Sequence, residues 1–389
     1  MTAEDLLTRT LNEITEATEY PTTSMSTVVA RSRAIRGGGR RRVALLAAAA
    51  VVVAGGLSAA LLLGHGGDST PGPAGPLGDL EQGPAPKVDY LDGDTFVTTS
   101  GERVTSPAFA KAVTAVRWKN GVLTASRGTI SHPLSTISFV SGGATSRVGC
   151  GTPSFAVPLD GGDPAYWLAT GCRLDRGGEL VRGEARDDTP KGALLTPVGL
   201  AADGVVTSAS SSGLRLPSHA LVIPPGGKRW IPLPLLGLRA ATEAGNLVTG
   251  LGRDAEHNVV VDAGTGQVKW RPSSAWAVGR FSASGRYLTG IESVGVQQSD
   301  DVGDIVGIWD AATGHQVLQQ ALPGLIVDAA AWEGDDSLLV VAEDRQGQEA
   351  VLRVGLDGSV TRATSVVTGV PRPAEGRPPL TTLRLAATP

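Results

Sequence analysis

The sequence is poor in residues that carry out chemistry. Its 389 residues include only two cysteines, five histidines and two methionines. No HxH, HExxH or G-x-S-x-G pattern occurs, so neither a zinc site nor a hydrolase nucleophile turn is indicated. We therefore expect no catalytic, cofactor-binding or metal-binding residue and no enzyme activity. The histidines are dispersed along the chain, at His65, His132, His219, His257 and His315.

Carboxylates gather at two places, "DGD" at 92–94 and "SDDVGD" at 299–304. Such groups attract calcium, whereas aspartate is also an ordinary residue of tight turns, where its side chain bonds the backbone. Both interpretations are open, and the turn interpretation is favoured because the tips of turns are where aspartate is expected.

An excess of basic residues is also absent. Residues 88–389 carry 26 lysines and arginines against 30 aspartates and glutamates. A domain without a positive field does not attract a phosphate backbone, so we expect no nucleic-acid partner. The 28 arginines against six lysines, with abundant alanine and glycine, point to a GC-rich genome.

Long apolar runs are absent except for one. Residues 43–63, "VALLAAAAVVVAGGLSAALLL", hold no charge, and as a helix they would span about 31 Å, the thickness of a bilayer core. Six arginines between positions 31 and 42 precede this run, whereas the first basic residue after it is Lys87. The positive-inside rule predicts a plasma-membrane anchor with a cytoplasmic N-terminus and an extracytoplasmic C-terminal domain.

The alternative for this run is a cleaved export signal, because "GRRRVALL" resembles a twin-arginine signal. Leu61, Leu62 and Leu63 occupy the end of the run, where a cleavage site needs small residues. A retained transmembrane helix is therefore favoured.

The segments on either side of the anchor differ in pattern. Residues 1–42 end in the Arg-rich flank and begin with Leu7, Leu11 and Ile14 at helical spacing, with Thr2 as a suitable N-cap. This pattern predicts a short amphipathic helix within residues 1–20 that binds a cytoplasmic protein, or a frayed helix without a partner. Residues 64–87 contain seven glycines and five prolines and are expected to form a linker.

Cys150 and Cys172 both lie on the side that we expect to be extracytoplasmic. An even number of cysteines in an oxidising compartment favours a structural disulfide, and the alternative is two free buried thiols. The disulfide would close a loop of 22 residues. Loop-closure entropy gives such a bond a contribution of about 3 kcal/mol.

After residue 64, short runs of Thr, Val and Ser alternate with Gly-centred turns, which is typical of an all-β chain. "GIWDAATGHQVL" at 307–318 repeats "VVVDAGTGQVKW" at 259–270, with Asp310 in the place of Asp262. Such strand–turn–strand units recur about every 43 residues, the period of a four-stranded propeller blade. Their turns lie around Ser100, Ser141, Asp175, Pro225, Asp262, Asp310 and Asp357. A second turn precedes six of them, at Gly121, Gly161, Gly204, Gly245, Gly285 and Gly334.

These turns predict a seven-bladed β-propeller over residues 88–389, with six blades as the alternative. The first blade has room for only three strands between Val88 and Pro107. The missing strand would come from "TTLRLAA" at 381–387, which would close the ring and remove its exposed edges. A dispensable C-terminal tail is the alternative. The seven tryptophans are expected to pack between blades.

"FSASGRYL" followed by "GIWDAATGHQVL" resembles the bacterial WD-repeat and YVTN/quinoprotein-like propellers, whose blades read FSPDG and then WDxxTG. The likeness covers residues 260–358 by their identity and 88–250 by spacing alone, and Trp-Asp occurs once. The resemblance implies the fold and leaves the function open, since propellers bind, scaffold and catalyse.

Three functional hypotheses follow. The first is a membrane-anchored binding or scaffold module with a protein or small-molecule ligand at the propeller face. The second is a transmembrane sensor that couples the propeller to a cytoplasmic partner such as a sigma factor. This arrangement resembles actinobacterial membrane proteins associated with extracytoplasmic-function sigma factors. The third is a propeller enzyme without recognisable catalytic residues.

Overall fold

The computed structural model describes residues 77–387, except for 129–133, 174–175, 190–192, 212–218, 227–230, 255–256, 273–275, 293–303, 345 and 370–381. The predictions for the cytoplasmic segment, the anchor at 43–63 and the first part of the linker lie outside the described residues. Among the residues described, no helix is long and apolar enough to cross a membrane. Their helical elements are α1 (Pro107–Ala110) and two 3₁₀ turns, at Leu77–Asp79 and Thr170–Cys172.

The strands form six antiparallel sheets, in which strands adjacent along the chain pair with each other. The first sheet contains β1 (Tyr90–Asp92), β2 (Thr95–Val97) and β3 (Arg103–Thr105). The second has seven strands: β4 (Ala112–Trp118), β5 (Gly121–Ser126), β6 (Ser135–Ser141), β7 (Ala144–Gly151), β8 (Ala165–Ala169), β9 (Gly178–Arg182) and β10 (Ala185–Thr189). The third contains β11 (Ala193–Ala201), β12 (Gly204–Ser211), β13 (His219–Ile223) and β14 (Ile231–Pro232). The fourth contains β15 (Leu235–Thr242), β16 (Leu247–Gly252), β17 (Asn258–Asp262) and β18 (Val268–Trp270). The fifth contains β19 (Trp276–Phe281), β20 (Tyr287–Glu292), β21 (Asp304–Asp310) and β22 (Gln316–Leu322). The sixth contains β23 (Leu325–Glu333), β24 (Ser337–Asp344), β25 (Gln348–Gly355), β26 (Val360–Arg362) and β27 (Val367–Thr368), and β28 (Leu383–Leu385) returns to the first sheet beside β1.

The sheets stand side by side in a ring, which in a propeller encloses a central channel. The strand β11 contacts β15, β15 contacts β19, β19 contacts β23, and β28 contacts both β23 and β4. The second sheet meets the third through β8 and β11. This radial arrangement confirms the predicted all-β propeller.

The sequence predicts seven separate blades, but the described strands form six sheets. Five of the six sheets have four or five strands, whereas the second has seven. The second sheet is continuous because Gly151 pairs with Ser135 of β6 on one side and with Leu168 of β8 on the other.

The position of a strand within its sheet explains its sequence. All eight residues of β24 are buried, because neighbouring sheets cover both of its faces, and its sequence is accordingly rich in Leu and Val. The outer strand β22, "QVLQQAL", exposes most of its residues, and three of its seven residues are Gln.

The repeated turn that the sequence identifies has the same structure in both copies. The Asp262 carboxylate accepts hydrogen bonds from the backbone N–H and the hydroxyl of Thr265, at 2.9 and 3.0 Å. Asp310 binds Thr313 in the same way, at 2.9 and 2.7 Å. These bonds lower the pKa of both carboxyl groups, because they stabilise the charged form. The following Gly in each turn, Gly266 or Gly314, has a positive φ, which explains its place in the motif.

The predicted ring closure is confirmed. The strand β28 pairs with β1 in antiparallel register, with Leu385 opposite Tyr90 and Leu383 opposite Asp92. The buried Arg384 guanidinium donates to the carbonyl oxygens of Ala112 and Gly93. The ends of the described propeller chain therefore meet within one sheet.

The second part of the predicted linker is ordered against the last sheet, which corrects its assignment. We call residues 77–87 the strap. Leu77 is fully buried in a cluster with side chains of β20 to β25, and Gly83 N–H donates to the Arg362 carbonyl at 2.8 Å. Arg362 N–H in turn donates to the Glu81 carbonyl at 2.8 Å. The glycines and prolines of the strap therefore belong to an extended segment that runs along β26.

One predicted outer turn is misplaced. The turn of the third unit is predicted around Asp175, but β9 and β10 pair across Gly183, with Arg182 opposite Ala185. Residues 170–177 instead connect β8 to β9, where Ala169 pairs with Gly178. The glycines at 177 and 178 imitate a hairpin turn in the sequence, which explains the error.

Candidate functional site

The innermost strands share an irregularity that shapes the channel. Each of five such strands contains a register shift, where one or two residues lack a partner on the second strand. A β-bulge of this kind re-aims a side chain that would otherwise point between two sheets. The shifts lie between Ala112 and Thr114, Pro197 and Gly199, Leu238 and Ala240, Val278 and Phe281, and Val327 and Ala329.

Two of these bulges present arginines. Arg239 lies in the bulge of β15 and Arg280 in the bulge of β19, and both are exposed. In a propeller the innermost strands line the central channel, so we expect exposed side chains in the middle of these strands to reach it. The strands β15 and β19 contact each other, which makes the two arginines neighbours in the ring.

The surroundings of Arg280 are closely packed although its side chain reaches solvent. Burial lowers the pKa of its guanidinium, because surrounding protein disfavours the charged form. The Trp332 indole N–H, on the next innermost strand, donates to the Arg280 carbonyl at 3.0 Å. Phe281 beside it is buried. The backbone of the bulge is therefore held in place, whereas the Arg280 side chain is exposed.

A second channel element is the irregular segment 151–157 between β7 and β8. Its Ala156 forms a two-way backbone bridge with Ala165, at 2.9 and 2.8 Å. The Thr152 hydroxyl donates to the Leu195 carbonyl of β11 at 2.8 Å. Because β8 pairs with β9 on its other edge, the segment occupies the inner edge of β8.

Cys150 and Cys172 form the predicted disulfide, with their Cα atoms 5.0 Å apart. Cys150 is the last residue but one of β7, and Cys172 lies in the 3₁₀ turn after β8. One residue pair and one bridge hold the segment 151–157 to β8, so the disulfide fixes the point where this poorly paired segment begins.

Replacing both cysteines by alanine is expected to lower the free energy of unfolding by about 3 kcal/mol, because the unfolded chain loses a cross-link across 22 residues. Denaturant unfolding of the oxidised wild type and the double variant measures this difference. Reduction of the wild type should reproduce it, and equal stabilities of oxidised and reduced wild type would contradict the expectation.

The acidic and histidine positions do not converge on a site in the described part of the chain. Asp92 pairs with Arg103 at 3.0 Å, and Asp94 accepts a hydrogen bond from the Thr95 hydroxyl. Among the described residues, no three His, Cys, Asp or Glu side chains are placed to hold a metal ion. His257 binds Asp254 at 3.0 Å in an exposed turn. His65, His132 and residues 299–303 lie outside the described residues.

Neither Arg239 nor Arg280 is predicted from the sequence. Arg239 and Arg280 follow apolar residues and precede an inner turn by five or six positions, as in "LGLRAATEAG" and "AVGRFSASG". A charged residue inside an innermost strand was the available signal, but a bulge is set by pairing with the second strand and is not visible in one strand alone.

No family model and no curated protein matches this chain. Among solved structures, it is similar to putative TolB from Agrobacterium tumefaciens, at 14% identity and a TM-score of 0.38, over 57% of this chain and 84% of that one. TolB from Acinetobacter baumannii has 14% identity and a TM-score of 0.39, over 68% of this chain and 73% of that one. The β-propeller domain of Cps50 (Swd1) from Myceliophteria thermophila has 12% identity and a TM-score of 0.43, over 67% and 88%. At these identities, neither an activity nor a partner is carried over to this chain.

Proposed function

We propose that this protein is a membrane-anchored, extracytoplasmic propeller that acts as a binding or scaffold module, with its ligand at the channel. The observation that carries the proposal is the closed ring whose innermost strands present exposed side chains at bulges. A rigid ring with re-aimed side chains at its centre suits recognition, since bound groups meet preorganised partners.

Seven blades are part of this proposal. The buried apolar residues form seven clusters, and one of them packs Val116 and Ile137 of β4 and β6 against Tyr166 and Val181 of β8 and β9. These four strands belong to one seven-stranded sheet. The side chains of its two parts nevertheless pack against each other, as those of neighbouring blades do. The segment 151–157 would then be the innermost strand of the third blade, with β8, β9 and β10 outside it.

Two observations support an extracytoplasmic location of the propeller. A disulfide joins Cys150 to Cys172, and such bonds persist in oxidising compartments. The apolar run at 43–63 precedes the propeller and follows six arginines, as in an anchor with a cytoplasmic N-terminus.

Fusions to a reporter that fluoresces only in the cytoplasm test this topology. We expect fluorescence when the reporter precedes Met1 and none when it follows Pro389. Replacing the arginines at 40–42 by glutamate should weaken the asymmetry, because the positive flank sets the orientation. The reverse fluorescence pattern in the wild type would refute the topology, and a mature protein that begins after residue 63 would identify a cleaved signal.

A transmembrane sensor is the second candidate, and the strap favours it. Arg353 donates to the carbonyl oxygens of Pro84 and Ala85, at 2.9 and 3.1 Å, so the chain leading into the propeller is bonded to the ring. A sigma-factor-dependent reporter gene distinguishes the candidates. Its output should change on replacing Leu7 and Leu11 by aspartate if residues 1–20 hold a regulator, and should stay constant for a scaffold.

A further inference from the structure

We infer that Arg239 and Arg280 together form a binding site for an oxyanion, the carboxylate or phosphate group of a small molecule that enters the propeller channel. The inference rests on the proposed binding function and specifies the chemistry of its ligand.

The two arginines are placed as a pair. Arg239 is the extra residue between the partners of Gly250 and Thr249 on β16. Arg280 lies between the partners of Gly290 and Leu288 on β20. The sequences of the two second strands, "VTG" and "LTG", correspond at these positions. Adjacent innermost strands therefore bulge at the same level, and both place an exposed guanidinium there.

Neither guanidinium has a carboxylate partner among the described residues. Arginines elsewhere in the described chain commonly have one: Arg103 pairs with Asp92, Arg117 with Asp89, Arg182 with Asp187, Arg186 with Glu179, Arg271 with Asp254 and Arg353 with Glu333. The surroundings of Arg280 disfavour its charge, because burial removes water from the guanidinium. A bound anion would offset this cost.

The guanidinium group also fits this ligand. Its planar fork donates two parallel hydrogen bonds to the oxygens of a carboxylate or phosphate, and it stays charged at any physiological pH. The Trp332 indole fixes the bulge backbone at Arg280, which limits the positions that the guanidinium can reach. Hydrogen bonds to a charged group are strong enough that each arginine should contribute about tenfold to affinity.

Isothermal titration calorimetry of the purified full-length protein tests the inference, with inorganic phosphate and succinate as probes at constant ionic strength. We expect saturable binding of at least one probe to the wild type, and the stronger of the two identifies phosphate or carboxylate as the preferred group. Arg239→Gln and Arg280→Gln should each weaken it about tenfold. Arg280→Lys keeps the charge but not the fork, so its affinity should lie in between.

Arg271→Gln is the matched control, because Arg271 is an exposed arginine after β18 and outside the innermost strands. Its affinity should equal that of the wild type, and unfolding midpoints verify that all variants are folded. Absence of saturable binding to the wild type, or equal affinities in all variants, would overturn the inference. With the expected reporter topology, that result would refute the anion site alone and leave the membrane placement standing.

Discussion

Deletion of residues 380–389 is expected to abolish cooperative unfolding of the propeller, or to lower its stability by more than about 4 kcal/mol. The deletion removes β28, whose Leu383 is buried and whose Arg384 bonds the carbonyl oxygens of Ala112 and Gly93. It also leaves the inner edge of β1 unpaired, which exposes backbone N–H and C=O groups and favours aggregation. Thermal unfolding of the full-length and truncated chains, followed by circular dichroism, measures the effect.

A chain that lacks only residues 388 and 389 is the control, since the paired strand ends at Leu385. It should unfold like the wild type. An unchanged melting temperature after deletion of 380–389 would contradict the closure and would favour a ring that holds together without β28.

Replacement of Arg353 by alanine should destabilise the fold by about 3–5 kcal/mol, because it leaves a buried carboxylate without its partner. Arg353 bonds both carboxylate oxygens of Glu333, at 2.5 and 2.9 Å, and the Glu333 side chain is only 6% exposed. Burial would raise the pKa of Glu333, but bonds from Arg353, the Lys87 N–H and Ser337 outweigh it and lower the pKa. Urea unfolding at neutral pH measures the loss.

The double variant Glu333→Gln/Arg353→Met should recover part of this loss, since it removes the unpaired charge. Arg103→Ala is the matched control, because Arg103 forms an exposed pair with Asp92. Its effect should stay below about 1 kcal/mol. Equal effects of Arg353→Ala and Arg103→Ala would show that the buried pair contributes no more than a surface one.

The same pair predicts how stability depends on pH. A carboxyl group whose pKa is lower in the folded state stabilises the protein above its unfolded pKa, and this contribution is lost as pH falls through the folded value. Glu333 is such a group. The difference in stability between the wild type and Glu333→Gln should therefore shrink as the solution becomes acidic, below about pH 4. A difference that is constant down to pH 2 would contradict this.

Local signals in the sequence determined the repeated part of the fold. The Asp-x-x-Thr-Gly turns at Asp262 and Asp310 were readable because their hydrogen bonds lie within three residues, so the same letters give the same structure. The all-β class was readable because strand composition and turn residues are also local. The closing strand was inferred by counting, since a first unit with room for only three strands requires a fourth strand from elsewhere in the chain.

Features that depend on contacts between distant residues were decided by the tertiary structure. The composition of the strap is that of a linker, because glycine and proline do not reveal its hydrogen-bond partners. These partners, Arg353 and Arg362, lie more than 260 residues away in the sequence. The seven-stranded sheet arises from one pair, Gly151 with Leu168, and the bulges that present Arg239 and Arg280 arise from the register of two strands.

The sequence by itself determined local turns and strand periodicity, because their energies come from neighbouring residues. Pairing register, burial of charge and the direction of a side chain toward the channel belong to the assembled ring, because each requires two segments to meet.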